Sequence, residues 1–148
     1  MIKRKHQRIR PKPIHAIINL TQHPATADQI AVGVIDLPAD ARAHLQSLLT
    51  FGDRPDEWEI RNRAEEITAI AALNASADDR GDAGGFALHA MIGGALWLMA
   101  PLAAALREQG IDPVFAFSIR ETEEQVQSDG SIRKVAVFRH AGFVPAVV

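Results

Sequence analysis

Residues 86–120 read FALHAMIGGALWLMAPLAAALREQGIDPVFAFSIR, and this stretch decides the fold. It predicts a strand over Phe86–Ile92, a turn at Gly93-Gly94, a helix over Ala95–Gln109 and a second strand over Val114–Ile119. Both strands are continuously apolar rather than alternating, which is typical of strands buried on both faces. A strand, a helix and a strand in this order indicate a parallel pair.

The N-terminal half repeats this alternation of strands and helices. Ile14–Leu20 is apolar and β-branched, which predicts a buried strand. Thr26 and Gln29 have capping-box spacing, so a short helix is expected to run to Gly33. Further elements are predicted in chain order: a brief strand over Val34–Leu37, a helix over Ala39–Leu49 with Pro38 at its first turn, a turn at Phe51–Asp53, a helix over Pro55–Leu73 and a loop over Asn74–Gly85.

The C-terminal part predicts a hairpin. Asp129-Gly130 is a favourable turn between residues 124–127 and 131–138. Apolar residues such as Val135 and Val137 lead us to expect that the last strand is mostly buried. The predicted fold is a single α/β domain over residues 14–148: a Rossmann-like, mostly parallel sheet with helices on both faces and a C-terminal antiparallel hairpin.

Composition excludes several classes of protein. The chain has 148 residues, no cysteine and 23% charged residues, so disulfides, thiolate zinc sites and cysteine nucleophiles are excluded. The longest apolar run, Ala95–Leu106, contains Pro101 and is shorter than the roughly 20 residues that span a bilayer. We therefore expect a cytoplasmic protein without a membrane partner.

The net charge of −2 conceals a basic N-terminus. Residues 1–12 hold six of the sixteen basic residues and no acidic residue, which leaves 10 basic and 18 acidic residues and a net charge of −8 for the rest. Two interpretations are open for residues 1–13: a solvated flexible tail, or an arm that binds nucleic acid through residues 3–12.

Candidate ligand residues follow the predicted strands, because ligands of open α/β sheets bind beyond the carboxyl ends of the strands. The first strand is followed by Thr21, Gln22 and His23, the next by Gly93 and Gly94, and the third by Ser118, Arg120 and Glu121. The fold rule brings these three groups to one edge of the sheet.

Two of these groups have chemistry that suits a phosphate. A glycine turn before a helix lets backbone N–H groups approach an anion, although a plain tight turn has the same sequence. Arg120 at a strand end is placed to bind a phosphate, or alternatively to pair with Glu121 or Glu123. His140 is a candidate for proton transfer, although a lone histidine is often structural. The six histidines show neither HxH nor HExxH spacing, and no dinucleotide or P-loop motif is present, so we expect no metal and no cofactor.

Residues 114–143, VFAFSIRETEEQVQSDGSIRKVAVFRHAGF, resemble the C-terminal part of small single-domain CRISPR-associated proteins of the ring-nuclease type. The matching elements are Ser118, Arg120, Glu121, Asp129, Gly130, Phe138, His140 and Phe143. The resemblance implies a CARF-like, Rossmann-like homodimer that binds cyclic oligoadenylate across its twofold axis and cleaves it without metal. It also implies that Ser118, Arg120 and His140 are catalytic.

Other functions remain open at this point. One is a nucleotide-binding module without catalysis. Another is a nucleic-acid or partner-interaction module of a mobile genetic element, which would use the basic N-terminus.

Overall fold

The computed structural model describes residues 16–75 and 88–147, and these form five strands and four helices. In chain order the elements are β1 (Ala16–Leu20), α1 (Ala27–Ala31), β2 (Val34–Asp36), α2 (Ala39–Leu49), α3 (Glu57–Asn74), β3 (Leu88–Ile92), α4 (Leu96–Glu108), β4 (Asp112–Val126) and β5 (Ile132–Pro145). The basic N-terminus, the loop residues 76–85 and Phe86 lie outside the described residues. Within the described ranges, no helix is long and apolar enough to cross a membrane.

The five strands form one sheet in the order β2-β1-β3-β4-β5. The first four are parallel, with Ile17 opposite Val34 and Ile18 opposite Ala90, and β5 runs antiparallel to β4. The predicted mixed α/β fold with a mostly parallel sheet and an antiparallel C-terminal pair is confirmed.

Alternate residues of the central strands serve two cores, because successive side chains of a strand point to opposite faces. On one face, Leu20 packs with helical residues of α2, α3 and α4 such as Leu45, Ile67 and Leu102, all fully buried. On the other face, a smaller cluster contains Ile17, Val34, Met91 and Val114. The helix α1 contacts β2 and β5 on this second face.

The helix ends follow the local sequence signals. The Thr26 hydroxyl accepts from the Gln29 N–H at 3.2 Å, and the Gln29 side chain accepts from the Thr26 N–H at 3.0 Å, which confirms the capping box. Helix α2 begins directly after Pro38 and ends at Leu49, as predicted. Helix α3 begins at Glu57, because the Asp56 carboxylate caps its first turn through the Glu59 N–H at 2.8 Å.

Strands β4 and β5, with 15 and 14 residues, are much longer than the other three strands of the sheet. Only Asp112–Val114 of β4 pairs with β3, and beyond that point β4 and β5 pair only with each other up to Val126 and Ile132. We call the projecting two-stranded part, residues 116–142, the arm. The sequence predicted a separate strand over Val114–Ile119 followed by a short hairpin, whereas the structure has one continuous hairpin.

The prediction that the last strand is mostly buried is wrong. Val135 and Val137 are only partly buried, and Phe138 is 72% exposed. Most of the β4 half of the arm is exposed as well. The physical reason is that β4 and β5 pair only with each other along the arm, and none of its residues belongs to the two cores formed by the described residues.

A β-bulge bends the base of the arm. Phe117 is opposite Gly142, whereas Ser118 is opposite His140, so Ala141 is an extra residue on β5. Gly142 has φ +122°, a conformation that residues with a Cβ rarely adopt. The bulge therefore depends on this glycine.

Candidate ligand-binding site

Asn19 holds the loop that follows β1. This buried amide donates to the His23 carbonyl oxygen and to Asp36 Oδ1, both at 2.8 Å. Its Oδ1 accepts from the Thr21 N–H at 3.0 Å and from the Thr21 hydroxyl at 2.7 Å. Asp36 in turn accepts from the Ala25 N–H at 3.1 Å. The loop 21–25 is thus tied to β1 at one end and to β2 at the other.

The loop forms one wall of a cleft of about 410 Å³ at the carboxyl edge of the sheet. Thr21 and His23 line it from β1, Gly93 lines it from β3, and Ala116 lines it from β4. Thr26 and Gln29 of α1 complete the polar part of the lining, with Pro24, Met91, Ile92 and Phe115 around it. The ends of β1 and β3 therefore meet at one space, as the fold rule predicts, and β4 lines it from within the strand.

The two glycines of the turn have different surroundings. A Cβ at Gly93 would meet Thr21 Cγ2 at 3.5 Å, inside the cleft. Gly94 has φ +136° and faces Leu49 and Met99 on the helical side instead. Helix α4 begins two residues later, and Ala95 at its N-cap provides no side-chain hydrogen bond. Ala95 therefore supplies no cap to the first N–H groups of α4, which begins three residues after Gly93 of the cleft lining.

Ser118 and His140 lie opposite each other on the arm. Ser118 shares its strand face with Ala116 of the cleft and lies two residues further along β4, about 7 Å away at ordinary strand rise. The His140 ring packs on Phe143 with a centroid separation of 4.7 Å. Its Nδ1 is buried, and no described residue forms a hydrogen bond with it.

Arg120 and Glu121 lie further out and do not end a strand, because β4 continues to Val126. Arg120 is opposite Phe138 and makes no ion pair within residues 16–75 and 88–147. The carboxylates of Glu121 and Glu123 instead bind Arg139, at 2.6 and 3.2 Å.

Two other predicted residues lie outside the cleft. Gln22 is not part of its lining, and its carbonyl oxygen accepts from Gln46 Nε2 at 3.3 Å. Gly94 faces Leu49 and Met99 and does not line the cleft. The structure therefore brings Thr21, His23 and Gly93 together in the cleft. Ser118 lies two residues beyond the cleft along β4, with His140 opposite it. The predicted residues that lie apart from the cleft are Gln22, Gly94, Arg120 and Glu121.

Sequence reasoning missed Asn19 and Asp36, which position the cleft without lining it. The available signal was a polar residue inside each of two apolar strands, IHAIINL and VIDL. In a buried strand such a residue needs a hydrogen-bond partner. Among the described residues, no group of three or more histidine and acidic side chains is arranged to hold a metal ion.

The family comparison matches nearly the whole chain. The model of the uncharacterized protein MJ1673 family covers residues 15–144. The chain belongs to this family. No curated protein and no solved structure matches it.

The match to the MJ1673 family includes both parts of the candidate site. It begins just before β1 and ends within β5, so the cleft residues Thr21, His23 and Gly93 fall inside it together with the whole arm. The basic residues 3–12 fall outside it. The cleft and the arm therefore lie within the matched part of the chain, and the basic N-terminus lies outside it.

Proposed function

We propose that this protein binds a cyclic oligonucleotide of the cyclic oligoadenylate type, with the cleft at the carboxyl edge of the sheet as the centre of the site. The observation that carries the proposal is the meeting of Thr21, His23 and Gly93 in one cleft, with α4 beginning three residues after Gly93 and without a side-chain cap from Ala95. Backbone N–H groups at such a position suit a phosphate diester. The resemblance of residues 114–143 to ring nucleases supplies the ligand class.

The proposed reaction is a metal-independent ring opening. A ribose 2′-hydroxyl gives up its proton and attacks the adjacent phosphorus. The O2′–P bond forms as the P–O5′ bond breaks, and the 5′ oxygen takes up a proton. The products are a 2′,3′-cyclic phosphate and a 5′-hydroxyl, and no co-reactant is consumed. Since the nucleophile is tethered to its target, in-line positioning supplies much of the acceleration.

Roles for the candidate residues follow from their chemistry. His140 is the proposed proton carrier, and Ser118 on the opposite strand holds ribose or phosphate. Arg120 and the N–H group of Gly93 stabilise the charge that develops on the phosphoryl group. For Arg120 to do so, ligand must extend from the cleft along the arm, or the arm of a second copy must supply it.

The exposed arm supports a homodimer. An isolated two-stranded hairpin is only marginally stable in water, so the arm needs a partner for its exposed apolar side chains such as Phe138. The arm carries four basic and four acidic residues, so the net charge of −8 beyond residue 12 lies entirely outside it. We call the rest of residues 13–148 the body. Two copies would repel each other through their negatively charged bodies but not through their arms. A second copy of the chain is therefore the proposed occupant of the face that carries Phe138.

Light scattering after size exclusion tests the dimer in the absence of ligand. The wild-type chain is expected to elute as a dimer and Phe138→Glu as a folded monomer. Leu73→Glu introduces the same charge at an exposed position of α3 and is expected to remain dimeric. A wild-type monomer at high micromolar concentration would contradict the proposed assembly.

A panel of cyclic oligoadenylates, incubated with the protein in EDTA, tests ligand and reaction together. Binding and a linear product for one ring size are expected. Arg120→Ala is expected to weaken both, whereas Arg133→Ala, an exposed arginine elsewhere on the arm, serves as the matched control. His23→Ala tests the cleft itself, with His44→Ala on α2 as its control. Absence of binding for every ring size would refute the proposal.

A sensor without catalysis is the second candidate, favoured by the absence of a hydrogen-bonded pair of Ser118 and His140 among the bonds of the described residues. Tight binding of a ring that stays intact after long incubation selects this alternative.

Nucleic-acid binding through residues 3–12 is the third candidate and stems from the six basic residues there. Deletion of residues 1–12 is expected to reduce the salt dependence of RNA or DNA affinity if these residues neutralise phosphates. An unchanged salt slope removes this candidate.

A further inference from the structure

A second cleft of about 450 Å³ lies where the start of α4 meets the start of α3 and the chain segment that follows α2. It is lined by Phe51, Asp53, Arg54, Pro55, Ile60 and Trp97. Trp97 belongs to the first turn of α4, and it follows Gly93 of the first cleft by four residues in the chain. The volume is within the range of small-ligand sites.

The aromatic wall of this cleft is held rigidly. Phe51 meets Trp97 edge to face, with ring centroids 5.4 Å apart and an interplanar angle of 78°. The guanidinium carbon of Arg63 lies 4.2 Å from the Phe51 ring centroid. Arg63 itself donates to Glu59 at 2.7 Å and to the carbonyl oxygens of Leu48 and Thr50 at 3.1 and 2.6 Å. These bonds hold Phe51 in place as a support for Trp97.

Trp97 is only partly buried. The next residue, Leu98, is fully buried, whereas the Trp97 side chain is 50% exposed and turns part of its indole toward the cleft. An indole supported by a second ring is a surface on which a planar ring stacks favourably.

The lining of the cleft includes one positively and one negatively charged side chain. Arg54 and Asp53 both line it, and neither forms an ion pair with another residue in the described ranges. Arg54 is available to an anionic group such as a phosphate, and Asp53 is available as an acceptor for an amino group. A ligand that combines a planar ring, an amino group and a phosphate is a nucleotide whose base carries an amino group, as adenine does.

We infer that the cleft between Phe51 and Trp97 binds the base of a nucleotide, stacked on the indole of Trp97, with Arg54 against its phosphate. The inference takes its ligand class from the proposed function, because the Gly93 turn would hold the phosphate diester and this cleft the neighbouring base. Neither the resemblance to ring nucleases nor the strand-end rule points to Phe51, Arg54 or Trp97.

The chain offers a direct spectroscopic test because it has two tryptophans, Trp58 and Trp97. Trp58→Phe leaves Trp97 as the sole reporter, and Trp97→Phe leaves Trp58, which is 73% exposed and lies outside the cleft lining. Adenosine monophosphate is the probe, with excitation at the red edge of the indole band so that the base does not absorb. Saturable quenching is expected in Trp58→Phe and none in Trp97→Phe.

Arg54→Ala, made on the Trp58→Phe background, tests the phosphate contact. It is expected to weaken the binding of adenosine monophosphate at least tenfold and to leave the affinity for adenosine unchanged. Arg61→Ala, an exposed arginine of α3 paired with Glu57, is the control. Equal quenching of both tryptophans, or none at several millimolar nucleotide, would overturn the inference.

The same proteins separate this inference from the proposed function. Quenching of Trp97 by the mononucleotide, with no cyclic oligoadenylate bound, keeps the base site and refutes the cyclic ligand. Binding of a cyclic oligoadenylate that depends on Arg120 while Trp97 stays silent keeps the proposed function and overturns the base site.

Discussion

Two neighbouring apolar segments of β4, residues 113–115 and 117–119, have opposite surroundings. Pro113 and Val114 lie between β3 and β5 and are buried, whereas Phe117 and Ile119, a few residues further on, are about half exposed. What changes along the strand is the neighbour, not the residue type. An apolar run thus shows that a segment needs burial, but the surrounding chain decides whether it obtains burial within one molecule. Substitutions in the body and in the arm test this contrast.

The largest effect is expected from a cavity in the body. Leu98→Ala removes a fully buried side chain of α4 and should cost about 2 to 5 kcal/mol of unfolding free energy. Leu96→Ala makes the same change two residues away, at a side chain that is 88% exposed, and should cost far less. Urea unfolding of both variants measures the difference. Equal losses would mean that Leu96 is covered in solution.

Asn19→Ala should cost about 1 to 3 kcal/mol, because it leaves the His23 carbonyl, Asp36 and Thr21 without their buried partner. It should also make the loop 21–25 more mobile and weaken the binding of any ligand in the first cleft. Urea unfolding and ligand titration check the two effects. Asn62→Ala, which removes an amide that bonds only Glu66 of the same helix among the described residues, should change neither.

Gly142→Ala should loosen the arm and spare the body. An alanine at φ +122° costs roughly 1 to 3 kcal/mol of local strain, although open space surrounds the added methyl group. Hydrogen exchange is expected to accelerate at the amides of residues 116–142 and to stay unchanged in β1 and β3. Gly52→Ala also has open space and no such backbone angle, so it controls for the methyl group. Acceleration throughout the sheet would show that arm and body unfold together.

The smallest effect is expected at the tip of the arm. The hydrogen bond from the Ser131 hydroxyl to Asp129, at 2.5 Å, and that from the Ser131 N–H, at 2.9 Å, lower the pKa of Asp129. Because the folded pKa is lowered, the stabilisation is present above the ordinary pKa of about 4 and is lost as pH falls through the folded value. Asp129→Ala should speed exchange of the tip amides a few-fold at neutral pH and hardly at all in acid. Ser128→Ala should have no effect at either pH.

Much of the body was predictable from local signals. The bounds of α2 follow from Pro38 and the apolar spacing, and the start of α1 follows from Thr26 and Gln29. The meeting of Thr21, His23 and Gly93 follows from the parallel order of the strands. These features depend on chemistry within a few residues or on a general rule of strand direction.

The remainder depends on tertiary contacts that no local pattern reports. The exposure of Phe138 follows from the absence of a covering layer in the described chain, which alternation along β5 does not reveal. The cleft between Phe51 and Trp97 arises because the end of α2 meets the start of α4, 46 residues later in the chain. The roles assigned to Ser118, Arg120 and His140 stay predictions.

The hydrogen bonds of Asn19 have a kinetic consequence for the first cleft. They join His23, Thr21 and Asp36 through groups of the protein itself, so the loop is in place before a ligand arrives. A ligand then loses little affinity to ordering this wall, because the conformational entropy has already been lost during folding. Capture at this cleft should follow simple bimolecular kinetics, with an association rate proportional to ligand concentration and no slow closing phase.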